Sequence, residues 1–383
     1  MSIYLALIIP LLVSGITYFL YPKRITLWEI FVPTAIGFFV IMIVGAIVRH
    51  EGNSDTKYNG ELITQVRYYE YWETYVEQTC SREVQTGTDS KGNPTYTTEY
   101  YDCSYCDDHP AHWSAITSSG EEYSIKESTY DSLVKMWGNN HFLDLHRNIN
   151  YEYGCGKDGD MYYSVWDKHI QHSYTRYSKS SFQNPIKHAH SAFKYEDISP
   201  DSAKAMGLFK YLPLNDEDLT NQVTVQGYDN DSVRKVLEYL NGNLGVRYGV
   251  HIQTLFFSQK DPKIAQKQES YWSGGGPNDV TICIGVSGDN ITWCRVFSWC
   301  DNKELTVGIR DGIIGLGKVK AMPIYSVVRQ NVSDYFVTKD FSAFAYLPYD
   351  YSGWNYFFVY FITLIASIAT NWWCVNNEYE NYD

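Results

Sequence analysis

Uninterrupted apolar stretches stand near both ends of this chain, and alternating or helix-spaced patterns fill its middle. From Ile3 to Tyr21 the sequence IYLALIIPLLVSGITYFLY carries no charge and approaches the ~20 apolar residues a helix needs to cross a bilayer. A cleaved signal peptide would place its positive charge before the apolar core, whereas Lys23 and Arg24 follow it, so the segment reads as a retained helix. The run WEIFVPTAIGFFVIMIVGAIV from Trp28 to Val48 comes after a very short link. Residues 1–49 therefore read as a transmembrane helical hairpin, helices about 3–21 and 28–48, with Glu29 and Arg49 at the rims of the second. A third uncharged run, Trp354 to Val375, has aromatic clusters at both ends, where rings settle at headgroup depth. Positive residues in short loops tend to stay cytoplasmic, so Lys23 and Arg24 place the hairpin turn inside, against a weak opposite pull from Arg49 and His50. The expected topology puts the large middle region outside the cytoplasm and the acidic tail, residues 376–383, inside.

Between the membrane segments two patterns alternate. After a polar linker, GNSDTKYNGE, the run LITQVRYYEYWETYVEQTC keeps Val66, Tyr68, Glu70, Trp72, Thr74 and Val76 on one parity, the period of a strand. A turn at Lys91–Gly92–Asn93–Pro94 returns it as a hairpin, and a second hairpin turns at Ser118 to Glu121. Ser128 with Asp131 resembles a capping box opening a short helix that Gly138 stops. MYYSVW and IQHSYTRY are again strand-like, so residues 50–190 read as a Tyr-rich β domain with one short helix, and 191–228 as a connector. Residues 229–347 differ. Ser232 opens a helix with Val233, Val236, Leu237 and Leu240 at helical spacing, closed by Gly242. VHIQTLFF is a continuous apolar strand, Asp261 and Pro262 start a second helix, and VTICIGVSG and ITWCRVFSW pair around Gly288–Asp289–Asn290. ELTVGIRDGIIG is strand or short helix, and IYSVVRQNVSDYF a third helix. The order implies an α/β sandwich of mixed sheet type.

Composition narrows the function. A net charge of -13 argues against a nucleic-acid binder held by phosphate contacts. The 35 tyrosines and 11 tryptophans serve dense β packing or contact with partners, since their rings join an apolar body to a polar tip. Seven of the eight cysteines lie in the middle region, where an exported location favours disulfides. The stretch DCSYCDDHPAHW leaves three readings. Disulfides would draw on Cys80, Cys103, Cys106 and Cys155, with Cys80 joined to Cys103 or Cys106 across the first hairpin, and an odd count in the region leaves one cysteine over. Zinc could be held by Cys103, Cys106, His109 and His112, although four ligands within ten residues around Pro110 are cramped. Free structural thiols are the third reading. His169 and His172, or His188 and His190, could supply distant ligands. Asp107–Asp108 and Asp216–Glu217–Asp218 could hold calcium but lack the spacing of an EF-hand. Gly274–Gly275–Gly276 lacks the lysine of a P-loop and reads as a loop, and Ser298 lacks the flanking glycines of a nucleophile elbow.

Residues 229–347 resemble the TPM domain family, small α/β domains often exported and tethered by a C-terminal membrane helix. The resemblance rests on the helix leading into YGVHIQTLFF, the helix ending at Tyr271–Trp272–Ser273–Gly274, the strand VTICIGVSG and the partner strand before Ile309 to Ile314. It implies a domain used in membrane-protein maintenance, with phosphatase activity in some members. Phe297–Ser298–Trp299–Cys300–Asp301 stands where such a member has a glycine-rich rim, so no catalytic residue carries over. The expectation is an α+β membrane-anchored protein: an N-terminal transmembrane hairpin, a β-rich exported domain, a TPM-like α/β sandwich and a C-terminal transmembrane helix. Its expected partners are the lipid bilayer and a protein on the non-cytoplasmic side, for binding or membrane-complex assembly. The alternative is a metal-dependent, phosphatase-like hydrolase.

Overall fold

The computed structural model describes residues 3–22, 24, 30–189, 195–196, 198–214 and 223–376. Lys23, Trp28, Glu29, His190, the acidic run at 216–218 and the tail beyond residue 376, all singled out above, lie outside them.

Three helices are long and apolar enough to cross a membrane. A 3-10 turn, Ile3–Leu7, runs into α1 (Ile8–Leu20), followed by α2 (Phe31–Asn53). The linker expected after α2 is absent: β1 (Ser54–Tyr69) starts at the next residue, so the helix passes directly into the strand. The long run after it breaks into three strands. β2 (Trp72–Val76) is followed by β3 (Thr79–Thr88), β4 (Pro94–Asp102) and β5 (Tyr105–His109). β3 pairs with β4 and β2 with β5, each as a separate two-stranded ladder. β6 (His112–Thr117) and β7 (Glu122–Ser124) make the second expected hairpin.

Helix α3 (Glu127–Trp137) is not opened by the Ser128 box; extended Lys126 precedes it, and no side chain caps it. Gly138 does end it, with φ 67°. β8 (His141–Leu143), β9 (Met161–Val165) and β10 (Thr175–Gln183) complete a six-stranded sheet ordered β7-β6-β1-β9-β8, with β10 on the other stretch of β1. IQHSYTRY divides between a 3-10 turn, Ile170–His172, and β10. Ile63, Val66, Ala115, Leu133 and Trp137 bury the apolar face of this sheet under α3.

The stretch expected as a connector contains α4 (Pro200–Met206) and β11 (Val225–Gln226), and β11 is the edge strand of the second sheet. Next come α5 (Asp231–Tyr248), β12 (His251–Phe257), α6 (Lys263–Tyr271), β13 (Asp279–Ser287) and β14 (Asn290–Ser298). α7 (Lys303–Leu316), α8 (Ala321–Tyr335) and α9 (Gly353–Asn376) end the chain. The sheet order is β11-β12-β13-β14, parallel except for β14. Ile252, Phe256, Ile282 and Ile284 meet α5, α7 and α8 on one face. Leu255, Phe257, Cys283 and Phe297 meet Ala265 of α6 and Trp272 on the other.

Two helix ends differ from expectation for physical reasons. Asn230, not Ser232, caps α5 by accepting from the Val233 N–H at 3.1 Å. Gly242 does not stop the helix; Gly249 does, with φ 67°. Gly242 and Gly245 lie where β1 crosses α5, and a Cβ on Gly245 would fall 2.3 Å from the Gly60 carbonyl oxygen. The two expected domains therefore share a buried seam. Asn278 donates across it to the Tyr58 carbonyl at 2.8 Å and to Asn59 Oδ1 at 3.1 Å, and within its own unit to the Gly249 carbonyl at 2.9 Å.

Candidate functional site

Two regions outside the membrane-length helices gather chemistry. The first is the arm formed by β3 and β4. Every residue of both strands is exposed except half-buried Cys80, so the arm stands clear of either sheet. At its tip the Asp89 carboxylate accepts from the Lys91 and Asn93 N–H groups, both at 2.8 Å, which holds its carboxyl below the usual range. An isolated two-stranded hairpin is marginal in water, and covalent links brace this one. Cys80 pairs with Cys103 at the base of the arm, and Cys106 of β5 with Cys155, each with Cα atoms 5.7 Å apart. Tyr96 and Tyr100 share one face of β4 and are 57% and 73% exposed.

Below the arm, the histidines of DCSYCDDHPAHW serve as rungs of a stack. His109 lies on Trp72 and His112 on Tyr69, each with ring centroids 4.7 Å apart. The Arg147 guanidinium covers both, 4.1 Å from the Trp72 centroid and 5.0 Å from that of Tyr69, an arrangement favoured by ring quadrupoles. Since Cys103 and Cys106 are drawn into different disulfides, the four residues do not gather as one ligand set. The residues that do gather are Asp144, His146 and Asp158, whose ligand atoms all lie within 4.8 Å of one another. They come from two loops more than ten residues apart, and nothing in either loop's spacing marks them. The trio is largely exposed, and its members pair with each other, His146 Nε2 with Asp144 at 3.6 Å and Nδ1 with Asp158 at 3.4 Å. His169 and His172 also fail to converge on a ligand set: His172 Nδ1 pairs with Asp167 at 2.6 Å. Three further cysteines of the middle region, Cys283, Cys294 and Cys300, are buried thiols where the odd count left one over. Burial pushes the Cys294 thiol up to about 12 and raises that of Cys283 well above its ordinary value, which makes both inert.

The second region lies at the end of the α/β sheet. His251 and Asp279 are neighbours at the starts of parallel strands β12 and β13, 0% and 1% exposed. Their Nδ1–Oδ1 distance is 2.8 Å. With the carboxylate facing Nδ1, that nitrogen donates; Nε2 has no hydrogen-bond partner among the described residues. The other carboxylate oxygen of Asp279 accepts from the Tyr211 hydroxyl at 3.0 Å and the Gly276 N–H at 2.7 Å. Burial, and then the adjacent Asp279, raise the Tyr211 phenol well above its ordinary value. The Gly274–Gly276 turn closes over this pair. Gly275 has φ 79°, and a Cβ there would lie 3.0 Å from Asp279 Oδ2. In front of the turn is a cavity of about 390 Å³ whose wall includes Tyr211, Trp272, Ser273, Lys187 and Lys210. The sequence offered no motif for it, because its wall is assembled from β1, the segments around residues 184–187 and 210–211, and the turn after α6.

Comparison with protein-family models, curated proteins and solved structures finds no match to this chain.

Proposed function

We propose that this chain is a membrane-anchored binding protein. In this reading α1, α2 and α9 hold a large non-cytoplasmic region that presents the β3–β4 arm to a protein partner, in assembly or maintenance of a membrane complex. The observation that carries the proposal is the arm itself, two strands exposed along both faces and locked at the base by Cys80–Cys103. Packing within the chain does not account for exposed Tyr96 and Tyr100, and tyrosine is among the residues enriched where proteins meet. The TPM-like reading of residues 229–347 fits the same role, with the α/β unit as the support from which the arm projects.

Replacing Tyr100 by a photoreactive amino acid in the full chain, in its native membrane, tests the proposal. A discrete crosslinked species is expected from Tyr100 and from Thr98, and none from Lys318 on the far unit. Equal, diffuse labelling from all three positions would refute it.

A second reading, a phosphatase-type hydrolase, draws on the Asp279–His251 pair, whose Nε2 has no partner among the described residues. It requires the glycine turn to open, since both side chains are enclosed. Metal-dependent turnover of a phosphate ester by the full chain in detergent, lost in His251→Gln, is the expected result for that reading.

A further inference from the structure

We infer that the cavity in front of the Gly274–Gly276 turn binds the phosphate group of an anionic ligand. The chain carries a net charge of -13, yet two lysines, Lys187 and Lys210, line this cavity against one acid, Asp55. Both oxygens of Asp55 are already engaged: Oδ1 accepts from the Thr56 N–H at 2.8 Å and Oδ2 from the Asn184 amide at 3.0 Å. Neither lysine forms an ion pair among the described residues. Lys187 Nζ donates to the Ser54 carbonyl at 3.3 Å. Two ammonium groups without an ion-pair partner among the described residues, beside a concave wall, make this a positive site in a molecule of net acidic charge, and the shape focuses that field.

The opposite wall is built for a ligand as well. Ser273 holds φ 51°, a left-handed conformation that costs a non-glycine residue about 1 kcal/mol or more and clusters at ligand clamps. It lines the cavity beside Gly275 and Gly276, and the turn is held by its N–H groups donating to Asp279 Oδ2 and to the Glu269 and Trp272 carbonyls. Tyr211, Tyr271 and Trp272 supply apolar wall, and about 390 Å³ falls within the usual range for small-ligand sites. Phosphate with a glycerol-sized or sugar-sized substituent would fit the charge and the volume.

Two sources share this chemistry, a phospholipid headgroup and a soluble phosphate ester. The cavity lies near the end of α2, because the Asn184 N–H donates to the carbonyl of Asn53, its last residue, at 2.6 Å. From Val48, the last apolar residue of the span, five helical residues and two extended ones reach Asp55, roughly 14 Å by the standard rises. That straight-line rise is an upper bound and exceeds the roughly 5–8 Å of headgroup layer on each side, so the headgroup source rests on the membrane reading and on an inclined approach of the cavity to the bilayer, and the soluble source rests on neither.

The test uses the full chain, purified in neutral detergent for titration with inorganic phosphate and glycerol phosphate. In parallel it is placed in phosphatidylcholine nanodiscs with and without phosphatidylglycerol, where native mass spectrometry counts retained anionic lipid. Binding of at least one probe is expected, weakened about tenfold or more in Lys187→Met/Lys210→Met. It should be restored in Lys187→Arg/Lys210→Arg and unchanged in Lys91→Met at the arm tip. Retention of phosphatidylglycerol alone assigns a headgroup, and binding of the free esters alone assigns a soluble ligand. Failure of every probe to bind, or equal binding by the wild type and the Met double variant, overturns the inference. Arm crosslinking is unaffected in either case, so this result and the arm's role are judged separately.

Discussion

Gly245 shows how much one missing methyl can decide. Its Cβ would sit 2.3 Å from the Gly60 carbonyl oxygen, where β1 crosses α5. Gly245→Ala is expected to lower unfolding stability by about 2–4 kcal/mol, read from thermal or denaturant melts. Gly315 in α7 is the control: nothing lies within 4 Å of its Cβ position, and Ala there should gain about 0.5–1 kcal/mol. From the sequence Gly242 looked like a helix stop because glycine reports either a left-handed end or a close approach, and only the neighbouring strand distinguishes them. A second residue sets a pH dependence. Burial raises the Glu238 carboxyl to about 7, against the lowering effect of Lys235 and Arg234. Between its ordinary pKa and about 7 the folded state therefore holds the extra proton. This group's contribution is full below the ordinary carboxylate range and is lost as pH rises through about 7. Glu238→Gln should remove that slope and stabilise the protein at pH 8 by on the order of 1–3 kcal/mol, measured as unfolding midpoints across pH.

At the scale of elements, the two disulfides should behave differently. Cys80–Cys103 closes the exposed arm, 23 residues apart in sequence, whereas Cys106–Cys155 spans 49 residues and ties β5 to the loop before β9. Cys80→Ser/Cys103→Ser should leave the main thermal transition in place and expose Thr79–Asp102 to proteolysis and fast amide exchange. Cys106→Ser/Cys155→Ser should lower the main transition, by an amount corresponding to about 2–4 kcal/mol. The two hairpin turns were legible because Gly and Pro punctuate them. The break of the long strand run at Glu70–Tyr71 was not, because its parity continues unbroken in the sequence while the chain changes partner from β6 to β5. α7 was ambiguous for a similar reason. Leu305, Ile309 and Ile313 recur every fourth residue and are all buried, but Val307 among them and Ile314 just after blur the period, and the neighbouring β14 and α8 decide it.

For the whole molecule, the three apolar helices pack as a bundle through small and polar residues. The Asn371 amide donates to Ser14 Oγ at 3.2 Å, and Pro10 fills the space a Cβ on Gly37 would need, 2.7 Å away. Asn371→Leu should weaken the bundle by about 0.6–1.7 kcal/mol, measured by reversible unfolding in bicelles. The end of α2 is also tied to the segment leading into α9, where the Arg49 guanidinium donates to the Ala345 carbonyl at 2.9 Å. Both ends of residues 54–352 thus meet the bundle on one side, as a single displayed body requires. The topology proposed above predicts that a cysteine added after Asp383 reacts with a membrane-impermeant maleimide only from the cytoplasmic side.

The sequence by itself determined the three membrane-length helices, the alternation of a β-rich and an α/β region, and most strand identities. Those follow from local periodicity and from the length an apolar run must have. Only the tertiary structure decided what the glycines at the β1–α5 crossing are for and which cysteines join. It alone turned the histidines of DCSYCDDHPAHW into stacking rungs, set an exposed arm beside them, and built a lysine-lined cavity from distant segments. Each of these depends on which surfaces meet, and no period or spacing along the chain encodes that.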